Sequence, residues 1–258
     1  MIYAIIDKKL GIGWLKAMHS RLLEKYGVIT KVAGSDYNFR YQTAGSKVAD
    51  DMNRLLNEID SDRPDEIYTG QQVHSANVTY ADGSNGDSFV FGKTFKETDG
   101  LLTDKKRVGL LIKYADCTPV ILYDPVHEIL VNVHSGWRGT TQRITTKAIE
   151  KMISKYNTDP KTLIAYVGPS IDQDNYEVGP DVYEAFAGFA ERDQFFRKTG
   201  AKYKMSMTDA NLSILKEAGI KNENIEVERA STFTDKRLHS ARGEGVSYQL
   251  NGLFAMMS

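Results

Sequence analysis

Two apolar runs near the middle of the chain, Pro119–Tyr123 and Ile129–Val133, flank the turn-forming stretch Asp124-Pro125-Val126-His127. That pattern predicts an antiparallel hairpin. A four-residue turn at those positions pairs Tyr123 with Glu128. Stepping outward in the same register sets Cys117 directly opposite His134, with Cβ atoms roughly 4.5–5.5 Å apart. Further β-type runs are predicted at Ile2–Ile6, Glu66–Thr69, Ala76–Tyr80, Ser88–Phe91, Val108–Tyr114, Leu163–Val167, Ile225–Glu228 and Gly252–Met257. Helical spacing is clearest in four stripes: Val48, Met52, Leu55, Leu56 and Ile59; Ile144, Ala148, Met152 and Ile153; Val182, Tyr183, Phe186 and Phe189; and Leu212, Leu215 and Ala218. Asp209 is the expected N-cap of the last, with Gly219 ending it. Hairpins interspersed with helices predict an α+β fold, mixed sheets flanked by helices. No repeat, low-complexity tract or Pro/Ser-rich linker divides the 258 residues, so 1–258 reads as one domain.

Composition narrows the function classes. A net charge of −1, with Lys and Arg scattered, argues against a nucleic-acid partner, which needs a concentrated basic surface. The single cysteine excludes an intramolecular disulfide and fits a reducing compartment. The apolar start Met1–Ile6 breaks at charge too early for a signal-peptide core, and no stretch reaches membrane-spanning length. A soluble, cytoplasmic protein with no membrane partner is expected.

The chemistry concentrates around Cys117. His134 stands opposite it by register, and His74 lies between two predicted strands. Two imidazoles and one thiolate make a three-ligand set with a fourth position for water, the pattern of catalytic zinc. Zinc lowers the pKa of such a water toward about 7. The plainer alternative makes Cys117 a small buried hydrophobe and the histidines hydrogen-bonding core residues. After His134, Gly136-Trp137-Arg138-Gly139-Thr140-Thr141 leads into a helix and offers an anion or phosphate seat, or a tight turn with a solvated arginine. Thr98–Thr103 and Gly168–Ile171 read as turns. Asp99 and Asp116 are read as orienting a histidine, taking a substrate hydroxyl, or capping turns. Arg237, His239, Arg242, Gly243, Glu244 and Gly245 form a lid, a phosphate contact or a surface loop. His19 and His127 read as surface and turn residues.

Several motifs occur in one order: Gln72-Val73-His74, Asp99-Gly100-Leu101-Leu102-Thr103, Ala115-Asp116-Cys117-x-Pro119-Val120, His134-x-Gly136-Trp137-Arg138-Gly139-Thr140, and Gly168-Pro169-x-Ile171 with Tyr176-Glu177-Val178-Gly179. From about residue 35 onward the chain resembles the laccase-domain family, labelled multicopper polyphenol oxidases. That family also includes purine nucleoside phosphorylases with adenosine deaminase activity and the peptidoglycan editing factor. The resemblance implies an α/β/β/α layering and a metal site at His74, Cys117 and His134, the same set the register reaches. It implies phosphorolysis of adenosine, inosine and 5′-methylthioadenosine, and hydrolytic deamination of adenosine. Zinc is the expected metal and copper the second choice. Phosphate is expected at Arg138, Gly139, Thr140 and Arg242, with Asp99 or Asp116 moving protons beside Cys117 and His134. The segment Leu238-His239-Ser240-Ala241-Arg242-Gly243 and the pair Ser231-Thr232 depart from the family pattern.

Counting restricts the oxidase reading. A blue-copper centre plus a trinuclear cluster needs a cysteine and roughly ten histidines, several in His-x-His pairs. This chain has five histidines and no such pair, which excludes a three-domain laccase mechanism. One His₂Cys site loaded with copper still allows slow oxidation of phenolic compounds. The alternative enzyme class is an amide hydrolase, Cys117 as nucleophile and His134 as base, acting on misincorporated peptidoglycan precursors.

Overall fold

The computed structural model describes residues 18–59 and 63–258, so the run predicted at Ile2–Ile6 lies outside the described residues. Two six-stranded mixed sheets carry the fold. The first runs in the order Val28–Ala33, Asn251–Met257, Val108–Tyr114, Glu66–Gly70, Gly92–Phe95, Asp87–Phe89. The second runs Ile225–Val227, Ile164–Val167, Thr118–Asp124, Ile129–Ser135, Gly100–Thr103, Val78–Tyr80.

The strands at the middle of each sheet are apolar almost throughout because both of their faces are covered. Between the sheets, Leu110, Ile112 and Leu253 of the first meet Leu101, Ile121 and Leu130 of the second. Outside the second sheet, Val120, Val131 and Val133 pack on Ile144, Ala148 and Met152 of the helix Ile144–Tyr156. Outside the first, Leu111, Phe254 and Met256 pack on Met52, Leu55 and Leu56 of the helix Val48–Glu58. These three cores establish the expected α/β/β/α layering. A third sheet, Glu177–Val178, Lys202–Met205 and Phe196–Thr199, shares a separate aromatic core with the helices Pro180–Ala185 and Met207–Glu217.

The central hairpin forms, but its register differs from the expected one. Asp124 pairs with Ile129 and Pro119 with His134. The turn is Pro125–Glu128, one residue later than expected. Asp124 takes the N–H groups of Val126 and His127 on its carboxylate, at 2.8 and 3.2 Å, and Glu128 closes the turn at φ +54°. Cys117 therefore lies just past the ladder, two positions from the residue opposite His134. A shift of two keeps each side chain on its face, so Cys117 and His134 still look the same way.

Other differences follow from pairing that local pattern does not reveal. The turn expected at Thr98–Thr103 is in part the strand Gly100–Thr103, whose residues are all buried. The run Ser88–Phe91 is the start of a hairpin, Asp87–Phe89 against Gly92–Phe95. The strands Val28–Ala33, Phe196–Thr199 and Lys202–Met205 had no clear signal. The last helix is capped by Ser206, whose hydroxyl accepts the Asp209 N–H at 3.2 Å, so Asp209 sits inside the first turn and is not the cap.

Candidate metal centre

Three elements deliver the three side chains. His74 follows the strand Glu66–Gly70 on a loop and takes a left-handed φ of +60°. Cys117 follows Asp116, also left-handed at +82°, which turns the chain into the strand Thr118–Asp124. His134 is the penultimate residue of Ile129–Ser135. Their ligand atoms all lie within 4.8 Å of one another. Cys117 Sγ stands 3.9 Å from His74 Nε2, and the two imidazole rings are 5.0 Å apart at 69°.

Tetrahedral zinc with ordinary bond lengths needs its ligand atoms roughly 3.3–3.6 Å apart, so small side-chain movements close the set on an ion. Gly136 leaves the room: a Cβ there would lie 2.8 Å from Cys117 Sγ and 2.8 Å from His74 Cδ2. His134 is buried and His74 exposed, which gives the set a closed side and an open one. Thiolate with two imidazoles suits zinc or copper by ligand softness.

Asp99 organises the centre from behind. Its Oδ1 stands 2.9 Å from His134 Nδ1 and accepts the His74 N–H at 3.0 Å; its Oδ2 accepts the N–H groups of Val73 and Ser75 and the Ser75 hydroxyl. An ionised carboxylate only accepts, so His134 Nδ1 carries the proton and Nε2 is left as the ligand. Burial alone would push the Asp99 carboxyl up; the bonds and charge of His134 and the donors of Ser75 outweigh it and hold it at about 2. Burial likewise opposes the Cys117 thiolate, but the charge of His134 prevails and the thiol is driven down. His134 is driven up by Cys117 and Asp99 against its own burial. In the absence of metal each group favours the charged form of the other, thiolate for Cys117 and imidazolium for His134.

The centre opens into a cavity of about 1130 Å³. Arg138 and Arg242 both line it. The Arg138 guanidinium stacks on Trp137 at 4.3 Å, and Arg242 lies 5.4 Å over Tyr176 and donates to the Glu177 carbonyl. Phe39, Tyr41, Phe89 and Tyr248 line other parts of the wall. Gln72, from the Gln72-Val73-His74 motif, lines it too, as does Lys113, which belongs to no motif.

Other expected site residues lie elsewhere or do other work. Gly139 and Thr140 are not in the cavity wall. Gly139 passes close to the Ser75 carbonyl, 3.0 Å from where its Cβ would be, and the buried Thr140 hydroxyl is spent on Ser135 and the Gly136 carbonyl. Asp99 is sealed off and has both oxygens engaged, which suits orienting His134 and not carrying protons. Asp116 lines the cavity, yet its oxygens accept the Thr232 hydroxyl and the Arg242 N–H, both at 2.7 Å, tying the cysteine loop to the later segments. His239 is buried between the Tyr37 carbonyl and Glu244, so the segment read as a lid, a phosphate contact or a surface loop is a pinned turn with the short helix Ala241–Glu244. His127 bonds Asp124 in the hairpin turn at 2.8 Å, and His19 lies 3.5 Å from Glu24.

Residues 23–256 match the family model described as multi-copper polyphenol oxidoreductase laccase. The chain is 30% identical over 202 residues to a purine nucleoside phosphorylase of Bacteroides thetaiotaomicron, covering 74% of this chain and 73% of that one. It is 32% identical over 189 residues to the adenosine deaminase RL5 of an unknown prokaryotic organism, covering 71% and 72%. Its fold superimposes on that of the hypothetical protein YfiH of Bacillus licheniformis with a TM-score of 0.83 over 90% of this chain and 93% of that one, at 24% identity.

Proposed function

Because the chain belongs to the multi-copper polyphenol oxidoreductase laccase family, whose relatives include a named purine nucleoside phosphorylase and a named adenosine deaminase, we propose that it is a zinc-dependent purine nucleoside enzyme. Its reactions are phosphorolysis of adenosine, inosine and 5′-methylthioadenosine, and hydrolytic deamination of adenosine. The observation that carries this reading is the convergence of His74, Cys117 and His134 on a cavity that also holds Arg138 and Arg242. When bound, zinc supplies Lewis acidity and activates water near neutral pH.

The protein's own groups divide the remaining work. Asp99 fixes the tautomer and orientation of His134. Arg138 and Arg242 offer guanidinium forks to phosphate or to the ribose-phosphate product. Trp137 and Tyr176 give those forks flat backing. The cavity volume exceeds that of one nucleoside, which leaves room for phosphate beside it. Copper in the same three ligands is the basis for a slow phenol oxidation. One free thiol paired with histidine suits the reducing cytoplasm.

A second reading rests on the thiolate that His134 stabilises in the absence of metal: Cys117 as nucleophile toward an amide such as a misincorporated cell-wall precursor. Elemental analysis, coupled to product identification with adenosine in the presence and absence of phosphate, separates the two. Stoichiometric zinc, adenine with ribose 1-phosphate, and inosine are the expected findings. Cys117→Ala abolishes both nucleoside reactions; full activity in that variant without metal overturns the proposal. Alkylation of Cys117 by an amide substrate analogue in metal-free enzyme, without nucleoside turnover, favours the second reading.

A further inference from the structure

Lys113 is an unusual residue for its place. It interrupts the otherwise buried strand Val108–Tyr114 near its end, on the face of Leu111. Gln72 clamps its backbone on both sides, accepting the Lys113 N–H at 2.9 Å and donating to its carbonyl at 2.6 Å. The ammonium donates to the Gly70 carbonyl at 2.9 Å, its one hydrogen bond among the described residues. An ammonium has three donors, so donors remain for whatever enters the cavity that Lys113 lines together with His74, Cys117 and His134.

We propose that Lys113 is the proton donor to the departing purine base, a role that rests on the nucleoside reading above. The C1′–N9 bond breaks with its electron pair passing into the purine ring, and Lys113 Nζ gives a proton to N7. A phosphate oxygen bonds C1′, and the proton that hydrogen phosphate loses in forming the ester returns the amine to its ammonium form. The arginines, Tyr176 and the two nearby aspartates suit this step less well. Arginines keep their protons at any working pH, burial pushes the Tyr176 phenol far up, and the carboxylates of Asp99 and Asp116 are engaged at both oxygens. Burial brings the Lys113 ammonium down to about 8, against the opposing charge of Asp99. An acid in that range both holds its proton and releases it near neutral pH.

A base that leaves without protonation tests the assignment. The purine of 7-methylinosine is already cationic and departs neutral, whereas inosine needs the proton. Lys113→Met, which keeps the aliphatic stem, is expected to lower kcat on inosine about 100-fold or more while 7-methylinosine turns over close to the wild-type rate. Lys113→Arg keeps the charge but cannot release a proton, so it shows the same split and guards against a Met variant that fails to fold. Equal losses on both nucleosides in Lys113→Arg, or wild-type turnover of inosine by either variant, overturns the role. Wild-type enzyme that phosphorolyses neither nucleoside overturns the underlying reading as well, and does so in the unmutated arm.

Discussion

Asp99 and His134 meet at 2.9 Å, carboxylate to Nδ1, with both side chains buried. The same carboxylate gathers three successive backbone N–H groups, from Val73 to Ser75, and so fixes the loop bearing His74. One buried group thus positions two of the three candidate ligands. Asp99→Asn keeps the shape but replaces an acceptor with a donor on one side and weakens the orientation of both histidines. Zinc affinity is expected to fall about 10–100-fold, the usual cost of losing an outer carboxylate partner. Competition with a chromophoric chelator measures it; an unchanged affinity would show that Asp99 serves the loop alone.

The same carboxyl sets an acid limit on stability. Its value in the fold, about 2, lies below the ordinary 3.8. A depressed carboxylate contributes stability above the unfolded value and loses it as pH falls through the folded one. Metal-free wild type is therefore expected to lose about 2 kcal/mol between pH 4 and pH 2 relative to Asp99→Asn. Denaturant titrations of the two proteins at several pH values isolate this group, because the other carboxyls titrate in both.

Gly136 separates room from strain. Its φ is −72°, a conformation any residue adopts, so Gly136→Ala brings no backbone penalty. The added Cβ would crowd Cys117 Sγ and His74 Cδ2 at 2.8 Å each. Zinc stoichiometry is expected to collapse while the circular dichroism and unfolding of the metal-free protein stay near wild type. Full zinc in this variant would place the ion somewhere other than between these side chains.

Much of this was legible in the sequence, for identifiable reasons. Val108–Tyr114 and Ile129–Val133 stood out because a strand covered on both faces is apolar throughout. The expected pairing of Cys117 with His134 was off by two in register, yet the two side chains still meet, since side-chain direction repeats every two residues. Gly100–Thr103 was hidden because its glycine and threonine resemble a turn until a partner strand is known. Asp99 could be noted as a histidine-orienting candidate, but only the fold shows that it collects five donors. Lys113 left no trace, because a charged residue in an apolar run has meaning only once its cavity exists. Gly139 and Thr140 misled because glycine and threonine before a helix serve close packing as readily as phosphate.

Metal-free Cys117 should react at a pH where free thiols do not. Burial raises a thiol, but His134 more than compensates and stabilises the thiolate. Alkylation by iodoacetamide, followed by mass spectrometry, is expected to reach half its maximal rate well below the ordinary thiol value of about 8.5. Zinc should suppress it, since the sulfur is then a ligand. His134→Ala should shift the profile upward. An ordinary profile insensitive to zinc would separate Cys117 from both its neighbour and the metal.

Arg138 and Arg242 approach the cavity from different segments and are backed by different rings, Trp137 and Tyr176. If both grip phosphate, each removes part of one binding step. Charge-assisted hydrogen bonds contribute about 1.5–3 kcal/mol, so Arg138→Met and Arg242→Met are each expected to raise KM for phosphate roughly 10–100-fold. Zinc content should not change, because the partners of these side chains are Trp137, Tyr176 and the Glu177 carbonyl and not the candidate ligands. Deamination needs no phosphate and should be affected far less, which makes the ratio of the two activities the decisive reading. Equal losses in both reactions would assign the arginines to the nucleoside, and no loss in either would leave them as ornaments of the rim.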